Sequence, residues 1–152
     1  MEAPQLAFAF ELRVQVGKMQ ELGTVAKGIR RIIPIVGGSF EGPDIKGTVV
    51  PGGYDWQLLR TDEVAEVEAR YVLQTDDGAL ITIVNTGLRY GPAEIMQRMA
   101  RGEQVESSQY YFRSIPFFET GVAKYDWLAK YIFIANGIRK PTEVIIQVWK
   151  VV

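Results

Sequence analysis

The sequence predicts an all-β chain, a single antiparallel β-barrel spanning residues 1–152 with one short helix. Three observations carry this. Long stretches alternate apolar and polar residues with a period of two, as a strand with one buried face does. The breaks between them are short and rich in Gly, Pro and Asp, as hairpin turns are. Several strands carry aromatics on both faces, so both need cover. Closing the sheet into a barrel supplies that cover and removes the free edges. A two-sheet sandwich or jelly roll is the alternative. A barrel of about eight strands holds its own side chains or one small ligand.

Leu6 to Val16 alternates cleanly, with Leu6, Phe8, Phe10, Leu12, Val14 and Val16 on one face. Thr24 to Phe40 is extended but interrupted; Pro34 argues for an edge or a bulge, and Gly37 and Gly38 permit a sharp bend. After a turn at residues 41–44, Ile45 to Val50 and Asp55 to Arg60 read as a hairpin about Pro51, Gly52 and Gly53. Ala65 to Thr75 and Ala79 to Arg89 form the clearest hairpin, about Asp76, Asp77 and Gly78. Pro92 suits the first turn of a helix, and Ala93 to Ala100 has Ile95, Met96 and Met99 at helical spacing. Tyr110 to Thr120 returns to strand, with a kink expected at Pro116. Tyr125 to Ala129 reads as a turn or a single helical turn. Tyr131 to Arg139 and Glu143 to Val152 make the last hairpin.

With 152 residues, one domain buries enough surface to need no metal or disulfide. The net charge is -1, without like-charge runs, so no nucleic-acid partner is expected. There is no Cys and no His, so thiolate and imidazole chemistry are out. Any metal would need oxygen ligands. Asp76 and Asp77 before Gly78 suit a turn better than a cation site, and the Gly pairs match neither a phosphate loop nor a dinucleotide fingerprint. No metal and no cofactor are expected. The apolar run at the N-terminus ends at Glu11 with no basic residue before it, too short for a signal peptide, and no stretch is long enough to span a membrane. A cytoplasmic protein without a membrane partner is the expectation.

Asp55 and Trp56 stand out beside the glycines. Asp55 reads either as a base or anchor on a pocket wall or as a turn residue; Trp56 reads either as a stacking face or as core. Arg70, if it lines the lumen, needs a partner, and Asp55 would be one, with its pKa lowered in consequence. Arg113, among Tyr111, Phe112 and Ile115, either reaches a rim or is buried to hold an anion. Tyr111, Tyr71, Asn85 and Glu119 could complete a polar lumen.

Pro51-Gly-Gly-Tyr-Asp-Trp56, Ala69-Arg-Tyr71 with Thr75-Asp-Asp-Gly78, Asn85 with Gly87, Tyr110-Tyr-Phe-Arg113 with Phe118-Glu-Thr120, and Tyr125-Asp-Trp-Leu128 follow one another along nearly the whole chain. Together they resemble the bacterial and fungal family called domain of unknown function 3237, also uncharacterised protein family 0311. The resemblance implies a single-domain antiparallel barrel of lipocalin-like appearance and no settled activity. It implies that Asp55, Trp56, Arg70, Asn85, Tyr111, Arg113 and Trp127 line one pocket. Tyr54 stands where small residues are expected, which would narrow the entrance.

The first functional reading is a binding module for a small, partly aromatic or apolar organic molecule whose anionic or carbonyl group is held by Arg113 or Arg70. The second is a cofactor-free isomerase, cyclase or lyase. There Asp55 or Glu119 moves a proton while Arg113 and Tyr111 hold an oxyanion. The third is a structural protein with a packed lumen. Aromatics on the outer side of residues 110–120 leave a homodimer open.

Overall fold

The computed structural model describes all 152 residues. The strands are β1 (Leu6–Val16), β2 (Gln20–Val25), β3 (Gly28–Glu41), β4 (Lys46–Arg60), β5 (Ala65–Thr75), β6 (Leu80–Tyr90), β7 (Tyr111–Thr120), β8 (Phe133–Arg139) and β9 (Glu143–Val151). One α-helix, α1 (Ala93–Ala100), joins β6 to β7, and 3-10 segments cover Ser107–Gln109 and Ala123–Ala129. The strands pair in the order β1-β9-β8-β7-β6-β5-β4-β3, and β3 pairs back with β1. Eight strands therefore close an antiparallel barrel. β2 is additional and lies along the first half of β3. No helix is long and apolar enough to cross a membrane.

The ring closes because β3 changes partner along its length. Gly28 to Ile32 pair with β2, and Ile35 to Glu41 pair with β1. Pro34 sits at the change-over. Its carbonyl accepts a hydrogen bond from Gly17 at 2.9 Å, and its missing N–H faces the same side, where there is no strand ladder to break. Beside it, β3 slips register between Ile35 and Ser39, and β4 slips against β5 between Val50 and Tyr54.

This corrects the hairpin expected about Pro51, Gly52 and Gly53: Lys46–Arg60 is one bulged strand of 15 residues. A Gly-rich bulge and a Gly-rich turn have the same composition. Here the glycines let two long strands bend round the barrel. Gly52 lies at φ 116° and Gly38 at φ 134°.

A third bulge alters the face expected along β1. The register against β9 slips between Phe8 and Phe10, so Ala9 and Phe10 are both buried. Phe8 lies outside, with its ring 5.4 Å from that of Trp149. The kink expected at Pro116 is also corrected, because the ladder between β6 and β7 runs unbroken through it. At Pro116, β7 has already parted from β8, which it pairs only at Arg113 and Ser114.

The lumen is divided along its axis. One end is apolar core: Phe10, Leu12, Phe40, Leu73, Ile81 and Phe133 are buried there, and Phe118 lies 5.6 Å from Phe10 and 5.4 Å from Phe133. The 3-10 segment Ala123–Ala129 plugs that end with Tyr125 and Leu128. At the other end α1 lays Ile95 and Met99 near Val67, Tyr110 and Phe112. Between the two apolar layers the barrel interior is polar.

Candidate functional site

Strand register stacks the polar residues in tiers. In the middle tier, Asp55 of β4 pairs with Ala69 of β5, which pairs with Asn85 of β6. The next tier towards α1 runs Arg31, Gln57, Val67, Gly87 and Ser114 across β3 to β7. Above it, Arg89 pairs with Ala65 and Phe112. Arg139, opposite Val144, comes from the end of β8. The inward side chains of one end of β3, β4, β6 and β8 thus bring three arginines, one carboxylate and two amides together.

Two cavities meet there. The inner one, about 50 Å³, is lined by Asp55, Gln57, Tyr71, Asn85, Arg89 and Arg139 among others. The outer one, about 320 Å³, is the barrel mouth under α1, with Met19, Met96, Met99 and Arg31 in its wall. Arg89 and Arg139 line both. The mouth falls within the size range of small-molecule sites, and the inner cavity falls far below it.

Hydrogen bonding within the site is incomplete. Arg31 donates to Gln57 Oε1 at 3.2 Å, and Gln57 Nε2 donates to Asp55 Oδ2 at 2.8 Å. Asp55 Oδ1, Asn85 Oδ1, Ser114 Oγ and the Nε atoms of Arg31 and Arg89 are buried without a partner. Arg89 is 4% exposed and has the ring of Phe112 5.5 Å from its guanidinium carbon. The chain's nine ion pairs all lie elsewhere. Unpartnered buried groups of this kind are rare, because each forfeits its hydration.

Burial dominates the electrostatics. It raises the pKa of Asp55 against the opposing pull of the Gln57 bond, Arg89, Arg139 and the Glu68 backbone. It lowers Arg89 to about 9, helped by repulsion from Arg139 and Arg31. Arg31 and Arg139 are also lowered, chiefly by burial. Tyr71 is raised by burial first and then by Asp55. Arg89 remains a cation at neutral pH, so the site concentrates positive charge that lacks a counter-ion within contact distance.

The sequence model of the family described as "Protein of unknown function (DUF3237)" matches residues 4–151. The chain belongs to the DUF3237 family. A relative from Rhodopseudomonas palustris, named a UPF0311 protein, is 41% identical over 144 residues, covering 95% of this chain and 94% of the relative. Its crystal structure, described as a conserved protein of unknown function, superposes with a TM-score of 0.98 at 39% identity over 100% of both chains. A beta-barrel like protein from Acinetobacter baumannii gives a TM-score of 0.87 at 37% identity, covering 100% of this chain and 98% of that one. An enzyme from Penicillium herquei shares the fold, with a TM-score of 0.75 at 21% identity over 100% of this chain and 97% of that one.

In this DUF3237 barrel the residues expected in one pocket are dispersed. Asp55 and Asn85 line the inner cavity. Trp56 faces outward, as do Tyr111 and Arg113, and the three help to line a groove of about 800 Å³ on the outer wall. Arg113 lies over the Tyr111 ring at 5.4 Å and donates to the Phe112 carbonyl at 3.0 Å. Arg70 is exposed outside and pairs with Glu68 at 3.4 Å, not with Asp55. Glu119 is exposed, on the half of β7 remote from α1. Trp127 belongs to the plug and packs 6.0 Å from Phe133. Tyr54 also points outward and does not narrow the mouth.

The reason is strand parity. Successive side chains face opposite sides, so Asp55 and Trp56 could not both line the lumen. On β7 the inward set is Phe112, Ser114, Pro116 and Phe118, which leaves Tyr111 and Arg113 outside. Arg31, Gln57, Arg89 and Arg139 were not singled out from the sequence. For Arg89 the signal was present: counting by twos from Ile81 through Ile83 and Asn85 reaches it. Arg31 and Arg139 lie near strand ends, where an arginine looks like an ordinary polar terminus.

Proposed function

We propose that the barrel binds a small organic molecule with an anionic or carbonyl group, seated in the mouth and reaching the inner cavity. The observation that supports this is the cluster Arg31, Arg89 and Arg139, buried or half-buried and without a carboxylate in contact. A planar guanidinium donates two parallel hydrogen bonds to a carboxylate or enolate, and does so more strongly out of water. The role that Arg113 and Arg70 were expected to fill passes to these three. Benzoate is a suitable probe. It should raise the melting temperature of the protein, and the rise should disappear in Arg139→Gln with the circular dichroism spectrum unchanged. Equal rises in both proteins would overturn the reading.

A second reading, acid–base catalysis without a cofactor, is favoured by Asp55 itself. No guanidinium contacts it, Oδ1 is free at the cavity, and burial keeps its proton on to a higher pH than an exposed aspartate. Such a carboxylate can take a proton from carbon next to a carbonyl while the arginines hold the enolate oxygen, and then return the proton. Phenylpyruvate in heavy water tests this by nuclear magnetic resonance. Deuterium should enter its CH2 position faster than without protein, and Asp55→Asn should abolish the excess. No excess over the buffer rate would remove this reading.

A further inference from the structure

We propose that the mouth takes a monocarboxylic acid with an apolar tail, acid group inward: the carboxylate on Arg31, Arg89 and Arg139, and the tail against the methionines below α1. This names the ligand class of the binding reading above and rests on it.

The order of residues along the barrel axis sets the orientation. The arginines shared by the two cavities form the floor of the mouth. Outward from that floor the wall is largely apolar, with Met19, Leu59, Met96 and Met99. A carboxylate entering first meets cations and leaves its tail on apolar surface. The reverse orientation would bury an alkyl or aryl group among guanidiniums and strip the acid of partners, which is doubly unfavourable.

The acid cannot pass the arginine tier. Beyond it the inner cavity holds only about 50 Å³ and ends at Asp55 and Asn85. An ionised ligand there would face a carboxylate. The unpartnered acceptors at that depth suit a hydroxyl donor or a water instead.

The mouth also disfavours a second acid group. Glu63 is the carboxylate in its wall. Glu21 lies near enough to stabilise the charge of Arg31. A diacid would carry its outer charge into that acidic edge, whereas an apolar tail would not. Methionine side chains are unbranched and polarisable, so the tail site adapts to alkyl and aryl shapes alike.

The test is a calorimetric titration of the full chain with acetate, butyrate, hexanoate and octanoate, beside octanamide and the eight-carbon diacid suberate. Affinity should rise roughly fourfold per added methylene until the mouth is filled. Octanamide and suberate should each bind at least about tenfold more weakly than octanoate. Met96→Glu should weaken octanoate by about tenfold or more, and by a larger factor than it weakens acetate. Because Met96 also packs against the α1 core, Met19→Glu, outside that core, serves as the second variant with the same expected loss.

Equal binding of acetate and octanoate, or of octanoate and suberate, would overturn the tail-outward class while leaving anion binding at the arginines intact. Octanamide binding as tightly as octanoate would overturn the carboxylate class while leaving the binding reading, which also admits a carbonyl group, intact. Octanoate binding undiminished in Arg139→Gln would overturn this proposal and the binding reading together. So would the absence of binding across the whole series.

Discussion

Gln57 donates to Asp55 at 2.8 Å and accepts from Arg31 at 3.2 Å, so the arginine reaches the carboxylate only through an amide. A direct ion pair would hold Asp55 ionised; at one amide's remove, burial prevails and raises its pKa. In the window between the ordinary aspartate value and the raised one, the folded chain binds more protons than the unfolded chain. Stability therefore falls as pH rises through that window. Asp55→Asn keeps an acceptor for Gln57 and removes the ionisation. It should melt above the parent at neutral pH, by about 2–4 °C for each kcal/mol regained. The gap should close below about pH 3.9. Identical melting curves at both pH values would show that burial does not govern this carboxylate.

Arg89 is the costlier charge, being 4% exposed with an unpartnered Nε. Its pKa is lowered to about 9 because burial, with repulsion from Arg139 and Arg31, outweighs the attraction of Asp55 and Tyr110. Replacing a buried, unpaired cation with an apolar side chain of similar length stabilises a fold. Arg89→Met should raise the melting temperature of the ligand-free protein and remove the extra stabilisation that benzoate gives the parent. The sign with pH is opposite to that of Asp55. Above about pH 9 the folded parent holds fewer protons here than the unfolded chain. The parent should therefore gain on the variant as pH rises past that point. A variant less stable than the parent without ligand would mean that Arg89 has a structural partner.

The barrel was legible in the sequence because alternation on β5 and β6 is unbroken and the turn between them carries Asp77 and Gly78. The Ala93–Ala100 helix was legible from Pro92 and the spacing of Ile95 and Met99. The bulges were not, since an extra residue in a strand leaves no compositional mark that a turn does not also leave. The site was legible only in part. Asp55 and Asn85 announce themselves as polar residues within apolar strands. Arg31, Arg89 and Arg139 become neighbours only when ring closure brings β3, β6 and β8 round to one mouth.

The bulges can be tested one at a time. At Gly52 a Cβ meets nothing within 4 Å, so Gly52→Ala isolates the strain of φ 116°. That strain should cost about 1–3 kcal/mol. At Gly38 the same strain is joined by a Cβ only 2.1 Å from the Arg13 carbonyl oxygen, on the strand that closes the barrel. Gly38→Ala must therefore part β1 from β3 as well, which adds about 1–3 kcal/mol of overpacking. Urea unfolding should rank Gly38→Ala well below Gly52→Ala. Equal losses would mean that β1 and β3 can separate freely.

At the far end of the barrel, Asp77 on the β5–β6 turn accepts hydrogen bonds from Lys124 and Tyr125, each at 2.8 Å, and from Thr75. Lys124 and Tyr125 belong to the 3-10 plug, so this carboxylate latches the plug to the turn and leaves little of itself for a cation. The Lys124 bond, then those from Thr75 and Tyr125, lower its pKa. A lowered value in the fold gives stability that is present above the ordinary aspartate value of about 3.9 and is lost as pH falls below it. Asp77→Asn should melt lower than the parent at neutral pH, and the two should converge in acid as the parent's own latch protonates. Lys124→Ala, which leaves the Tyr125 and Thr75 bonds in place, should lose less than Asp77→Ala. Limited proteolysis should then cut the variants first within residues 123–129, because losing the latch frees the plug before it opens the strands. A parent and an Asp77→Asn variant with the same melting temperature at neutral pH would reduce Asp77 to an ordinary turn residue.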